Sequence, residues 1–175
     1  MLYVLDASAL LNEPNFEFES KHSYITTPEV LSEWKSFEAR NLVENALTQG
    51  LLKIQEANWK HLEELKQLVK EHGFEKLSYP DLTVLALAKE LLEKKQKIQV
   101  LTDDYSIQNF LALLKIPFQA VIMREIKEII KFEPKCVNCG KKFSLNTKLT
   151  ECDFCGGKIK KKPAQLAKMD QKLTK

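Results

Sequence analysis

The chain has 175 residues, enough for one sizeable core and a small appendage but not for two full domains. A hydrophobic fraction of 44%, with only 5 Gly and 6 Pro, excludes fibrous and broadly disordered classes. The net charge of +3 hides a split at Lys135: up to that residue 17 basic residues meet 21 acidic ones, and beyond it 10 meet 3, so an acidic body carries a basic tail.

The apolar run at residues 2–5 predicts a buried strand ending at Asp6. Residues 24–26 predict a second strand, after which Thr27 is a helix cap and Pro28 suits the first turn. Val30, Leu31, Trp34 and Phe37 then share one helical face through about residue 47. Gly50 separates this helix from a short strand in LLKIQE, and Asn58 caps a helix carrying Leu62, Leu65, Leu68 and Val69 to a stop at Gly73. Ser78 and Asp81 have capping-box spacing, and the helix they open is apolar around most of its girth, from Leu82 to Leu92. IQVLTDD at 98–104 repeats the pattern of a strand ending in acids, followed by a helix from Tyr105 to Leu114 and a strand in FQAVI at 118–122.

This alternation predicts an α/β fold over residues 1–122, with a mainly parallel sheet covered by helices on both faces. Residues 123–134 read as a linker or short amphipathic helix, and 135–159 as a cysteine module. Residues 160–175 form a basic tail, poor in large apolar groups, with the composition of a disordered segment. The start of the chain lacks a signal-peptide pattern, and no stretch reaches the roughly 18 apolar residues of a membrane span, which predicts a cytoplasmic protein.

Asp6, Glu33, Asp81 and Asp104 lie beside elements that an α/β fold brings together, and ligands of such sheets gather beyond the C-terminal strand edge. Asp6 and the Asp103–Asp104 pair also have a plain structural reading as helix caps or turn carboxylates, Asp81 as an N-terminal helix charge that meets free backbone N–H groups, and Glu33 as a solvent-facing glutamate at the border of the apolar helix face. Gathered in one pocket, the acids would repel one another unless a divalent cation compensated them. Oxygen-only ligands favour Mg²⁺ or Mn²⁺ over Zn²⁺. Such an ion activates water for attack on a phosphodiester. The chain has no GxxxxGK[ST], GxGxxG or GxSxG motif, and its three histidines are spread without a spacing for paired acid/base work.

CVNC at 136–139 and CDFC at 152–155 are two CxxC knuckles, each followed by glycine. Cys136, Cys139, Cys152 and Cys155 so spaced predict one structural Zn²⁺, whose binding would fold a module too small to fold unaided. Lys141, Lys142, Lys148, Lys158, Lys160, Lys161 and Lys162 surround the knuckles with positive charge beside Phe143 and Phe154, the composition of an RNA-binding surface.

Together LDAS at 5–8, PEVLSEW at 28–34, YPDLTVLALA at 79–88 and LTDDYSIQN at 101–109 resemble a PIN-domain nuclease. With the CxxC pair attached, residues 1–160 resemble the Nin-one-binding family of ribosome-assembly endoribonucleases in its short archaeal form. The resemblance implies a three-layer α/β/α PIN domain with a zinc ribbon. It further implies metal-dependent cleavage of precursor small-subunit ribosomal RNA at its 3′ end, with the pre-ribosomal particle and ribosome-assembly proteins as partners and no membrane. The family's acids carry over to Asp6, Glu33, Asp81 and Asp104, with Thr102 as a supporting hydroxyl and Asp103 as a second acid within reach of the metal. A toxin-like or other single-stranded RNA nuclease would share the acids but not the ribbon, and a non-catalytic RNA-binding assembly factor would share the outline.

Overall fold

The structure is a computed structural model that describes residues 1–13, 16–74, 76–126 and 128–168. Its elements are β1 (Leu2–Leu5), α1 (Ser8–Leu11), β2 (Ser23–Thr26), α2 (Pro28–Leu31), α3 (Phe37–Thr48), β3 (Leu52–Ile54), α4 (Trp59–His72), α5 (Tyr79–Glu93), β4 (Ile98–Leu101), α6 (Tyr105–Leu114), β5 (Phe118–Gln119), β6 (Glu128–Cys136) and β7 (Ile159–Lys168). The first five strands form one sheet in the order β3-β2-β1-β4-β5, and every neighbouring pair is parallel. The chain therefore winds outward from β1 through β2 to β3, then crosses back to β4 and β5. Right-handed crossovers in the two directions put the connecting helices on opposite faces, giving three layers.

Burial follows from this arrangement. All four residues of β4 are buried, as are Val4 and Leu5 of β1, because both sheet faces are covered. Helix α5 buries nine of its fifteen residues, including Val84, Leu85, Leu87 and Leu91. Each large aliphatic side chain so removed from water contributes about 1.5–3 kcal/mol. Several cap signals act as the sequence predicts: Thr27, Asn58 and Ser78 accept from backbone N–H groups of α2, α4 and α5, and Gly73 closes α4 in the left-handed conformation. At Gly73 a Cβ would also stand 3.2 Å from that of Phe132, so the position combines φ = +78° with close approach of β6.

Three segments differ from the sequence expectation. The helix expected over 28–47 is broken between Leu31 and Phe37. Ser36 starts a new helix by accepting from Ala39 N, while the Trp34 indole turns inward to donate to the Ala7 carbonyl at 3.0 Å. Trp34 is consequently 2% exposed and Phe37 74%, so they do not share a face. The strand expected over 118–122 stops at Gln119, because the N–H groups of Val121, Ile122 and Met123 are captured by the Asp103 carboxylate.

The third difference concerns both ends of the ribbon. The expected linker or short helix at 123–134 is strand from Glu128 on, as β6, and the first part of the tail expected to be disordered belongs to β7; residues 169–175 lie outside the described residues. These strands pair antiparallel from Glu128 with Lys168 to Cys136 with Ile159, with an irregularity between Ile130 and Phe132. Asn109 of α6 holds that irregularity: its side chain donates to the Ile130 carbonyl and accepts from the Ile130 N–H, both at 2.8 Å. The amide thus imitates a strand neighbour and ties β6 to the α/β body.

Candidate active site and metal centre

In the order β3-β2-β1-β4-β5 the winding reverses between β1 and β4, and the crevice beyond their C-terminal ends is where open α/β sheets bind ligands. The register pairs Leu5 with Leu101, so the next residues, Asp6 and Thr102, emerge side by side. The Asp6 N–H donates to the Leu101 carbonyl at 3.1 Å, which carries the pairing one step past the strands.

Asp6 is buried, and one of its oxygens, Oδ2, accepts from the Ser8 hydroxyl at 2.6 Å and from the Thr102 hydroxyl at 2.9 Å. Ser8 Oγ also accepts from the Asp103 N–H at 2.9 Å, so one hydroxyl stitches the loop after β1 to the loop after β4. The Thr102 hydroxyl thus donates directly to Asp6. Ser8 carries no role in the sequence reading, although it closes the LDAS motif. Burial holds the Asp6 carboxyl above its ordinary pKa, opposed by the two hydroxyls and reinforced by the negative charge of Asp81. That last effect brings Asp81 and Asp6 into one electrostatic neighbourhood from well-separated parts of the domain sequence.

Asp81 reaches this edge because α5 precedes β4 and begins at the C-terminal side of the sheet. Its Oδ2 accepts from the Ser78 N–H at 2.6 Å while its own N–H donates to Ser78 Oγ, completing the capping box. The first turn of α5 is tied to the start of α2 by a 2.8 Å hydrogen bond between the Thr83 and Thr27 hydroxyls. Glu33, half-buried, sits just beyond α2 in the turn whose neighbour Trp34 is anchored to Ala7. It is not on a helix face, because α2 ends at Leu31.

The two adjacent acids after β4 do different things. Asp104 caps α6, with Oδ1 accepting from the N–H groups of Ser106 and Ile107 at 2.5 and 3.3 Å, and is exposed. Asp103 is buried and turned the other way, into the three N–H groups of residues 121–123. The cap readings of Asp81 and Asp104 therefore hold, and in Asp6, Asp81 and Asp104 alike one carboxylate oxygen is fixed by structural bonds. Among the described residues these acids are not drawn together tightly enough to form a ready-made metal-binding group; the cysteines are.

The four cysteine sulfurs lie within 4.8 Å of one another, with Cys136 Sγ 3.4 Å from Cys155 Sγ and Cys139 Sγ 3.7 Å from Cys152 Sγ. A tetrahedron with Zn–S bonds of about 2.3 Å has edges of about 3.8 Å, so the quartet fits a zinc ion and is too open for disulfides. Each knuckle is closed alike: Gly140 N donates to the Cys136 carbonyl and Gly156 N to that of Cys152. A Cβ on Gly157 would stand 2.9 Å from Cys136 Sγ and 2.8 Å from the Asn138 side chain, so any larger residue there would have to displace a sulfur of the quartet or the Asn138 amide. Backbone N–H groups of Cys139 and then Asn138 bring the Cys136 thiol down to about 6. Against a hydrogen bond from Gly157, the neighbouring thiols push Cys155 up to about 12. Four thiolates at this spacing need a cation between them.

Of the lysines read as an RNA surface, Lys141 is paired with Asp153 at 2.7 Å and Lys142 with Glu133 at 2.9 Å. Lys148, Lys158, Lys160, Lys161 and Lys162 are exposed. Phe154 is exposed at a knuckle tip, whereas Phe143 is half-buried under the Lys141 ammonium. Among the described residues no helix is long and apolar enough to cross a membrane.

The parallel sheet, with carboxylates at its switch point, is that of a PIN domain: the family model described as the PIN domain of ribonuclease matches residues 3–91. The likeness continues through the ribbon. The chain is 34% identical over 163 residues to endoribonuclease Nob1 of Methanothermobacter thermautotrophicus, covering 93% of each chain. It is 36% identical over 158 residues to endoribonuclease Nob1 of Pyrococcus abyssi, covering 90% of this chain and 91% of that protein. With endoribonuclease Nob1 of Methanocaldococcus jannaschii it shares 35% over 159 residues, covering 91% and 76%. The chain belongs to the Nob1 family of PIN-domain endoribonucleases.

Proposed function

We propose that this protein is a divalent-metal-dependent endoribonuclease of the cytoplasm that hydrolyses RNA phosphodiesters and matures the 3′ end of small-subunit (16S) ribosomal RNA on the pre-ribosomal particle. The observation that carries the reading is the position of buried Asp6, which leaves β1 beside Thr102 at the sheet's switch point and is held there by the Ser8 and Thr102 hydroxyls in a chain of the Nob1 family. Uncompensated negative charge in a crevice calls for a cation, and the donors available are all carboxylate oxygens, the set preferred by Mg²⁺ or Mn²⁺. Asp6, Glu33, Asp81 and Asp104 would hold it. The chemistry supplied by such an ion when bound is activation of water and neutralisation of charge on the phosphoryl oxygens.

The chain's own residues do the positioning. Ser8 and Thr102 orient Asp6, Ser78 orients Asp81, and the first turn of α6 orients Asp104, each through one oxygen. The second oxygen of each acid takes no part in these bonds, so a cation that drew the acids together could use it without breaking the bonds that orient them. The ribbon, stabilised by one Zn²⁺, adds exposed lysines that engage RNA phosphates.

Single-turnover cleavage of end-labelled precursor RNA spanning the mature 3′ junction tests the reading, with Mn²⁺ and without added divalent metal. Asp81→Asn keeps a carbonyl oxygen for the Ser78 N–H and hence the cap, but removes the charge. Cleavage is expected to fall on the order of 10²-fold or more with RNA binding retained. New ends bearing 5′-phosphate and 3′-hydroxyl are expected from attack by water. Undiminished cleavage by folded Asp81→Asn, or a 2′,3′-cyclic phosphate, would reject the mechanism.

A further inference from the structure

Where the ribbon strands meet the α/β body they leave a cavity of about 480 Å³, in the size range of small-ligand sites. Its wall is apolar, made by Phe74 beyond α4 and by Ile126, Ile130 and Phe132 from the segment leading through β6. Phe74 and Phe132 meet edge to face with centroids 6.0 Å apart. The Asn109 clamp on Ile130 fixes the back of this wall, so the cavity is a built feature of the junction.

The mouth has a different chemistry. Tyr105 stands there, 51% exposed despite its size, and it is the residue immediately after Asp104. Lys76 and Lys161 lie on the rim as well, with Glu128 among them. Lys161 belongs to the run Lys160, Lys161 and Lys162 of β7, whose near end adjoins the cysteine knuckles. An aromatic ring beside an acid of the proposed pocket, an apolar recess behind it and a cationic approach along one strand make up the chemistry that takes an unpaired base while its phosphates stay outside.

We infer that this cavity receives one unstacked nucleobase of the RNA, next to the scissile phosphate, with Tyr105 as its stacking partner. The inference rests on the nuclease reading for the position of the cut, but the pocket itself is defined by binding. The base enters against Phe132 and Tyr105, the flanking phosphates lie toward Lys76 and Lys161, and Glu128 repels phosphate from its side while accepting from an amino group on the base edge. A base held in a duplex cannot enter, so the pocket selects single-stranded RNA and sets its register relative to Asp104.

The test is equilibrium binding of a short unstructured RNA to the zinc-loaded full chain without added Mg²⁺ or Mn²⁺, so that affinity is read apart from cleavage. The RNA is prepared as a series with an abasic ribose at each position in turn. One abasic position is expected to weaken binding on the order of 10-fold, the usual worth of one base on an aromatic ring. Tyr105→Ala is expected to weaken binding of the intact RNA by a similar factor and to be insensitive to that abasic position, whereas Tyr105→Phe restores both. Tyr105 is surface-exposed, so its replacement leaves the core intact, and the melting temperature of each variant verifies this. Equal affinity across the abasic series, or additive losses for Tyr105→Ala and the abasic site, overturns the pocket. Loss of a self-association in Tyr105→Ala with no change in RNA affinity also overturns it, in favour of a second copy as occupant. An intact abasic pattern in a protein that fails to cleave precursor RNA supports the pocket and rejects the nuclease reading separately.

Discussion

Replacing Asp103 by alanine removes the acceptor of three backbone N–H groups, at 2.9 Å from Val121, 3.2 Å from Ile122 and 3.1 Å from Met123. Hydrogen bonds to a charged group contribute about 1.5–3 kcal/mol each, which would sum to about 4–9 kcal/mol. Residues 122 and 123 are exposed, however, so water replaces the carboxylate at two of the three donors. The loss then centres on Val121 and on release of the turn that leads toward the ribbon, about 2–4 kcal/mol in all. For a chain of this size that lowers the melting temperature by roughly 5–15 °C. Asp104→Asn is expected to behave oppositely: asparagine caps a helix as well as aspartate, so stability changes by a few tenths of a kcal/mol, while affinity for Mn²⁺ falls with the lost charge. Thermal melting and Mn²⁺ titration of the two variants decide between these roles. If Asp103→Ala kept the parent melting temperature and lost Mn²⁺ binding, the assignment of Asp103 to the turn and Asp104 to the metal would be refuted.

Further outcomes follow from the ribbon and its junction. Cys152→Ser should lose stoichiometric zinc and the native NMR signals of residues 136–157 while the α/β body stays folded, and Gly157→Ala should weaken zinc binding through crowding at Cys136 Sγ; full zinc retention in both would sink the four-cysteine site. Neutralising Lys158, Lys160, Lys161 and Lys162 together should weaken RNA binding and flatten its salt dependence, by about 0.7 in log–log slope for each single-strand phosphate that is no longer neutralised. An unchanged slope would return these lysines to a solubility role. Asn109→Ala leaves the Ile130 N–H and carbonyl without their 2.8 Å partners, so amide exchange at Ile130 should speed up on the order of 10-fold or more while the β4 core remains protected. Equal protection at Ile130 in the variant would mean that the amide clamp does not hold the strand.

What could be read along the chain was local. A strand ending at Asp6, the cap residues Thr27, Asn58 and Ser78, the stop at Gly73 and the two CxxC knuckles each depend on neighbours a few positions away, and each is in place. The four-acid set rested on two strand ends, for Asp6 and Asp104, on two helix positions, for Glu33 and Asp81, and then on the family resemblance. Tertiary structure decided what adjacent or distant residues do to one another. Asp103 and Asp104 look equivalent in LTDD, yet an extended backbone turns successive side chains to opposite sides, one into the turn at 121–123 and one onto the start of α6. Glu33 lies in the break after α2, next to a Trp34 whose indole donates to the Ala7 carbonyl, an arrangement that no helical periodicity encodes. The lysine-rich segment from Ile159 has poor strand propensity and becomes β7 because β6 supplies its hydrogen-bond partners from well back along the chain. Such pairings leave no trace in composition or spacing, because their free energy is realised only once both strands are brought together.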